Sequence, residues 1–499
     1  MRPLIHEVPT AHTPESLAAQ LRASQPGVVL LRTSQFDAPA ARYSLVTAGP
    51  LLTFRSSGSR CETVQPGAGA GARVQFGNPW HLLDALMSRF ELLDEIDWPF
   101  PLGGVFGYWG YELKNFTEPK LPRRAVNDLD LPDCQVGFYD SLVVFDHRLG
   151  RASVISTGLD ADGSRSDARA GERLEFWGAQ LAGNPAREGG IASAPGGQAE
   201  PLFRRVCSNV SRAAFVAAVE RAQQYIRAGD IYQVNLSHRL TVSPALTGWE
   251  LFERLSAVSP APFAAYLEGD GGAGCGSFEI ASSSPEQFLR LSGAHIVTRP
   301  IKGTRPRDAD SLHDAQLAYE LQTSAKELAE LVMITDLLRN DLGKVCEYGS
   351  VQVPELARLE KFAQVQHLVS TVEGRLRPGL THFAAFASCF PGGSITGAPK
   401  FRAMAIIDEL EPLARGPYCG AIGYLGFNRE SQLSIAIRTA ICQGGRAHFN
   451  VGAGIVADSV AEAEYEETIA KAQGFIQALE LNPRCEGRWL AEIGVPSSE

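Results

Sequence analysis

Two stretches of the chain set carboxylates at helical spacing. Between Ser324 and Leu338, Glu327 and Glu330 stand three residues apart and share one helix face, while Leu331, Ile334 and Leu338 supply an apolar stripe. After Asp458, Ser459-Val460-Ala461-Glu462 has the pattern of a capping box, and Glu464, Glu467 and Lys471 follow it at i, i+3 and i+7. Two acidic faces on two helices have the chemistry to hold one hard cation. Mg2+ takes one or two protein carboxylates and keeps positions for waters and an oxyanionic substrate. The same residues also suit a solvated i,i+4 pair, Glu467 with Lys471, beside ordinary surface charge.

Four further features carry nucleophiles, bases or anion-binding backbone. Lys302 lies in Thr298-Arg299-Pro300-Ile301-Lys302-Gly303-Thr304-Arg305, either as a solvated loop charge or as an amine nucleophile tuned by the arginines beside it. His367, in Gln364-Val365-Gln366-His367-Leu368-Val369, sits among apolar neighbours as a core histidine would. Cys419 in Tyr418-Cys419-Gly420-Ala421 lacks a strand-to-helix elbow and reads as a buried structural thiol. In Phe390-Pro391-Gly392-Gly393-Ser394-Ile395-Thr396-Gly397-Ala398-Pro399-Lys400 the lysine is displaced from nucleotide-loop spacing, which leaves a small-residue loop able to hold an anion such as a carboxylate before the helix 401–410.

The elements that must position these groups are α and β mixed. Gly27 to Leu31, Tyr43 to Val46 and Val143 to Asp146 read as strands, and Pro79 opens an amphipathic helix. Gly67-Ala68-Gly69-Ala70-Gly71 lacks dinucleotide-loop spacing and context and reads as a flexible turn. Composition divides the chain into 1–157, a Gly-, Ala- and Ser-rich connector at 158–210 ending in 189–197, a continuous α/β stretch at 211–480 and a tail at 481–499. The stretch 211–480 begins with a helix over 211–229 and a strand over 230–240. With 44% hydrophobic and 20% charged residues among 499, the chain has enough apolar mass for a sizeable core. A formal charge of −10 without a basic run argues against nucleic acid as a partner. Nine scattered cysteines without a CxxC pair, no signal sequence and no long apolar run point to a cytoplasmic protein with free thiols and no membrane association.

The motifs Gly229-Asp230-Ile231-Tyr232-Gln233-Val234-Asn235-Leu236, Ser284-Pro285-Glu286, Arg299 to Thr304, Asp336 to Gly343, Gly397 to Lys400, Ile437-Arg438-Thr439 and Gly452 to Val456 stand in an order that resembles the chorismate-utilising enzymes. Within that family the chain is most similar to the aminodeoxychorismate synthase component I branch, with the anthranilate synthase component I branch second. The resemblance spans about residues 211 to 480 and continues more weakly through Leu30-Leu31 and Arg42-Tyr43-Ser44. It implies an α/β (α+β) sandwich of two largely antiparallel sheets with helices outside and the active site in the cleft between them.

By the same resemblance, Mg2+ would be held by Glu330 and Glu467 with Glu464 close by. Gly303, Thr304, Tyr418, Arg438, Gly452, Ala453, Gly454 and Lys471 would fix the carboxylates of chorismate. Lys302 would be a covalent nucleophile, Glu286 an acid or base, and Glu327, His367 and Ser394 further active-site groups. Water-adding branches carry a lysine base where this chain has Gln233, so ammonia is the expected nucleophile. Ammonia would come from a separate glutamine amidotransferase subunit, and the product would be 4-amino-4-deoxychorismate for 4-aminobenzoate and folate synthesis. The anthranilate branch, which releases pyruvate, is the alternative, and a catalytically silent regulatory homologue is a second. A candidate tryptophan site comprises Thr33, Arg42, Tyr43, Pro260, Ala261 and Pro262; Leu30-Leu31-Arg32-Thr33 departs from the pattern of tryptophan-regulated relatives.

Overall fold

The computed structural model describes residues 2–33, 41–66, 71–95, 97–183, 205–272, 276–361 and 365–480. The turn read at 67–70, the connector end at 189–197, the tail at 481–499 and the cysteines at 275 and 485 lie outside the described residues. The seven remaining cysteines are free thiols. No helix among the described residues is long and apolar enough to cross a membrane.

Alternation in the strands sends successive side chains to two different cores. Val29, Leu45, Val144, Ile155, Ala265 and Leu267 enter a core shared by two sheets, while their neighbours Leu30, Val46, Val143, Val154, Ala264 and Tyr266 pack outward. The outward residues are covered by Leu17 and Leu21, Trp177 and Leu181, Trp249 and Phe252, and Phe475, contributed by four helices. The result is the expected sandwich of two twelve-stranded sheets. Every ladder among the named strands is antiparallel, which permits the short connections seen throughout.

The segments 1–157 and 211–480 do not form separate layers. Val29–Arg32 pairs with Phe263–Asp270 in the first sheet, and Gly104–Trp109 pairs with Ala421–Gly426 in the second. Two adjacent segments then carry the chain from one sheet to the other. Ser277–Ser284 of the first sheet continues through Pro285 and Glu286 into Gln287–Ser292 of the second, while Glu430–Ile435 returns through Ala436, Ile437 and Arg438 to Thr439–Gln443. Three hydrogen bonds fasten these crossovers: Ile435 N–H to the Glu286 carbonyl at 3.1 Å, Ser283 N–H to the Arg438 carbonyl at 3.0 Å, and the Ser284 hydroxyl to the Ile435 carbonyl at 2.6 Å.

The connector reading of 158–210 is corrected over part of its length. Asp167–Ala182 is a helix capped by Ser166, whose hydroxyl accepts the Arg169 N–H, and Arg205–Ser208 is an edge strand. Trp177 is fully buried and donates from its indole nitrogen to the Ser141 hydroxyl at 3.0 Å. Gly and Ala lowered the apparent patterning, but three widely spaced apolar contacts suffice to dock the helix. Trp177→Ala should therefore destabilise the protein by about 3–5 kcal/mol in urea unfolding, as a core truncation does; a change within ~0.5 kcal/mol would return this segment to linker status.

Candidate active site

Glu286 and Arg438 belong to the two paired crossovers, whose backbones are hydrogen-bonded to one another. Glu286 is buried, and its carboxyl is pushed up to about 7 by loss of water, against the opposing pull of a Ser394 hydrogen bond and the Lys302 charge. Arg438 takes a positive φ of 48°, which turns its side chain out of strand alternation; burial lowers its pKa.

Lys302 comes from the strand Ile301–Pro306, which pairs with Val365–Arg375. A register irregularity between Lys302 and Thr304, with Gly303 at φ +64°, allows both side chains to be presented to the cleft. A β-carbon on Gly303 would lie 2.5 Å from Leu321 Cδ1 and 3.1 Å from Glu327 Oε2, so the position excludes any larger residue on two counts. Thr304 lies opposite His367 in the register, and its hydroxyl is hydrogen-bonded to His367 Nδ1 at 2.9 Å. Burial, with the nearby Arg438 charge, lowers His367 to about 4, so the imidazole is neutral at physiological pH.

The helix Ala325–Gly343 faces this strand. Ser324 caps it by accepting the Glu327 N–H at 3.4 Å. Glu327 points at Gly303 and lies 3.7 Å from Arg305, while Glu330, one turn on, lies 3.2 Å from Lys302 Nζ. The arginines flanking Lys302 are engaged elsewhere, Arg299 with Glu360 and Arg305 with Glu327. A carboxylate, rather than cationic neighbours, is what the lysine meets.

The opposite wall is the strand Arg446–Ile455 and the helix Ala461–Lys471. Gly452 and Gly454 keep this wall flat. A β-carbon on Gly454 would stand 2.5 Å from Gln233 Nε2 and 3.5 Å from Lys302 Nζ, and one on Gly452 would stand 2.9 Å from the Tyr418 hydroxyl. Ala453 alternates to the far face and is buried in the core. Lys471 donates to the Gly452 carbonyl at 2.8 Å and pairs with Glu467 at 2.7 Å. Burial would raise Glu467, but Lys471, followed by Lys302 and Lys326, brings it below its ordinary value. Glu464, one turn earlier, is buried and raised by desolvation, with the Glu467 charge adding to the effect. The expected capping box is absent: Val460 is the cap residue, and the Ser459 hydroxyl instead accepts the Val456 N–H at 3.0 Å.

The loop before Lys400–Leu410 closes the floor. Lys400 donates to the carbonyls of Cys389 at 3.1 Å and Pro391 at 2.9 Å and pairs with the buried Asp341, so it staples the loop. Asn235 Nδ2 donates to the Ser394 carbonyl at 3.0 Å, and the buried Arg415 donates to the carbonyls of Ile395 and Asn235 at 3.2 and 2.8 Å. Arg415 also pairs with Glu411 and lies over the rings of Tyr111 and Tyr418. Cys419 beside them is buried, its thiol pushed up to about 12 by desolvation, which matches a structural thiol.

Residues 36–477 match the chorismate binding enzyme family. The chain belongs to this family. It is similar to anthranilate synthase component 1 of Thermus thermophilus, 40% identical over 443 residues that cover 88% of this chain and 90% of that protein. It is equally similar to aminodeoxychorismate synthase component 1 of Klebsiella aerogenes, 40% identical over 468 residues, 92% of this chain and 95% of that one. Among solved structures, anthranilate synthase component I of Streptococcus pneumoniae superposes with a TM-score of 0.72 at 31% identity, covering 89% of this chain and 93% of that one.

In this chorismate-binding enzyme the candidate groups fall into three connected series. Ser394, Glu286, Lys302 and Glu330 form one connected series, and Tyr418, Gly452, Lys471 and Glu467 another. Glu327, Gly303, Thr304, His367 and Arg438 form a third. Among the described residues no group of three His, Cys, Asp or Glu side chains is gathered as a metal cage. The candidate tryptophan residues separate. Tyr43 and Pro262 line an inter-sheet cavity with Leu31, Phe263, Arg290 and Tyr424, Thr33 lines a different cavity, and Arg42 lies over the Tyr43 ring while pairing with Asp146. Pro260 and Ala261 precede the strand that contributes Phe263.

Lys326, Asn235, and the pair Glu411 and Arg415 were not visible as site groups from sequence. The i,i+4 spacing of Glu411 and Arg415 is a signal, yet it does not separate a buried pair from a solvated one.

The Glu286 environment gives a signed pH dependence. Its folded value of about 7 exceeds the ordinary 4.5, so the folded state binds this proton more tightly, and the associated stability is present below about pH 4.5 and lost as pH rises through 7. Glu286→Gln removes the penalty. The variant should exceed the parent by about 3 kcal/mol at pH 8 and match it near pH 4 in denaturant titrations; equal stability at both pH values would contradict the assignment.

Proposed function

We propose that this chorismate-binding enzyme is the component I of an aminodeoxychorismate synthase, converting chorismate and ammonia to 4-amino-4-deoxychorismate. The observation that carries the reading is the Lys302 amine, held in the cleft 3.2 Å from Glu330 and within the electrostatic reach of Glu286. Relatives of both the aminodeoxychorismate and the anthranilate type reach 40% identity, so overall similarity does not choose the product.

In this reading Arg438, Lys471, the Tyr418 hydroxyl and the flat 452–454 backbone hold the two carboxylates of the substrate. The unprotonated Lys302 amine forms a C–N bond to the ring as the C–O bond to the 4-hydroxyl breaks, and the Glu286 carboxyl supplies the proton that releases water. Ammonia then forms its own C–N bond, the Lys302 nitrogen departs with its electron pair, and the Glu286 carboxylate takes the surplus proton. A carboxyl near 7 serves both directions at neutral pH. Gln233 supports ammonia over water, since an amide cannot act as the base that water requires; its carbonyl oxygen is buried with no hydrogen-bond donor among the described residues.

Glu330 and Glu467, with Glu464 behind them, fit a hard divalent cation: the Lys302 charge acts on both of the first two carboxylates, which therefore face a common point. Mg2+ held there would bind the ring carboxylate and offset its charge. The name component 1 borne by the relatives suits a second subunit, which we take to be a glutamine amidotransferase in the cytoplasm. The anthranilate reading retains one specific support, a neutral His367 joined through Thr304 and Gly303 to Glu327, because acid–base groups beside the cleft are what removal of the enolpyruvyl side chain needs.

Incubation with chorismate, Mg2+ and ammonium should give 4-amino-4-deoxychorismate without pyruvate. Intact-protein mass spectrometry should show an adduct of chorismate less one water, absent in Lys302→Ala, whose turnover falls by on the order of 10²–10⁴-fold. Anthranilate with stoichiometric pyruvate would reject the assignment.

A further inference from the structure

Three lysines meet three of the carboxylates on the two acidic helices: Lys302, Lys326 and Lys471 face Glu330, Glu464 and Glu467. The three lysines are not held alike. Lys471 keeps a second acceptor in the Gly452 carbonyl at 2.8 Å, whereas among the described residues Glu330 is the one carboxylate within ion-pair distance of Lys302, Glu286 and Glu467 acting on it from farther away. Both side chains of that pair are largely buried, 18% and 13% exposed, so neither is compensated by bulk water. Gly454 leaves room for the ammonium on the opposite wall, 3.5 Å from where a β-carbon would stand.

We propose that Lys302 is the built-in counter-ion of Glu330 and competes with a divalent cation for that carboxylate, so that the amine is released for chemistry only once the cation has been taken up. The inference rests on the metal assignment proposed above. A divalent ion close to an unreleased ammonium on the same carboxylate is strongly repelled in a site of reduced dielectric. Lys302 is the group that must yield, since its departure leaves no other hydrogen bond broken. The cleft thereby couples cation loading to exposure of its own nucleophile, and keeps that amine paired while no cation is bound.

The test is Mn2+ binding to the full-length protein without substrate, followed by loss of the free-ion electron paramagnetic resonance signal. Lys302→Met keeps the length and apolar stem and removes the charge; Lys302→Gln is a second variant should the first fold poorly. Both should bind Mn2+ about tenfold more tightly than the parent, while Lys302→Arg, which keeps a cation beside Glu330, should show no gain. Glu330→Gln should lose binding. Equal affinity in parent and Lys302→Met, with Glu330→Gln still impaired, would overturn the competition and leave the metal site standing. Absence of Mn2+ binding in parent and variants alike would overturn both.

Discussion

The constraint on which the cleft depends is a pair of neighbouring strand crossovers between the two sheets, those through Glu286 and Arg438. Backbone polar groups at such a bend lose their ladder partners and must be satisfied locally. Here each crossover satisfies the other, through Ile435 to Glu286, Ser283 to Arg438 and Ser284 to Ile435. The consequence is that an acidic and a basic residue, Glu286 and Arg438, are held on hydrogen-bonded backbone rather than on a free loop. The remaining walls are built around that corner. The flat Gly452 and Gly454 face, the Lys302 strand and the two acidic helices each contribute side chains whose positions are meaningful only relative to Glu286 and Arg438.

Desolvation then separates the protonation states of groups that differ little in water. Burial raises the Glu286 carboxyl to about 7 and lowers the His367 imidazole to about 4, so one holds or yields a proton near neutrality while the other stays uncharged. Cys419, equally buried, is pushed up to about 12 and is chemically silent. The same low dielectric makes the lysine-to-glutamate balance at the helices consequential, because a surplus charge of either sign would have no water to screen it. Arg415 shows how such a charge is carried at depth: Glu411 and two carbonyls saturate it, and in return it fixes the loop before Thr396 and the ring of Tyr418.

Much of this was legible in one dimension. The spacing of Glu327 and Glu330, and of Glu464, Glu467 and Lys471, announced two helix faces, and those helices are present. Short apolar runs between turn residues marked the strands around Leu30, Tyr43 and Val143, and the displaced Lys400 serves as a staple of its own loop. The failures are also physical. Ser459 with Glu462 satisfied the capping pattern, but the serine found a better partner in Val456. The Asp167–Ala182 helix sits in a segment whose composition looks like a linker, because docking requires a few well-placed contacts, chiefly Trp177, rather than a dense apolar stripe.

Sequence by itself determined the family, through the type and order of residues in its motifs, and with the family the sandwich; local periodicity alone reached only mixed α and β. Tertiary structure decided which charges meet. That Lys302 faces Glu330 rather than its arginine neighbours, and that Arg42 pairs with Asp146, follow from contacts between residues tens to about a hundred positions apart, and packing around two i,i+4 pairs leaves Arg415 buried and Lys471 half-exposed. Electrostatic energies depend on distance and burial, and neither quantity is encoded in local pattern.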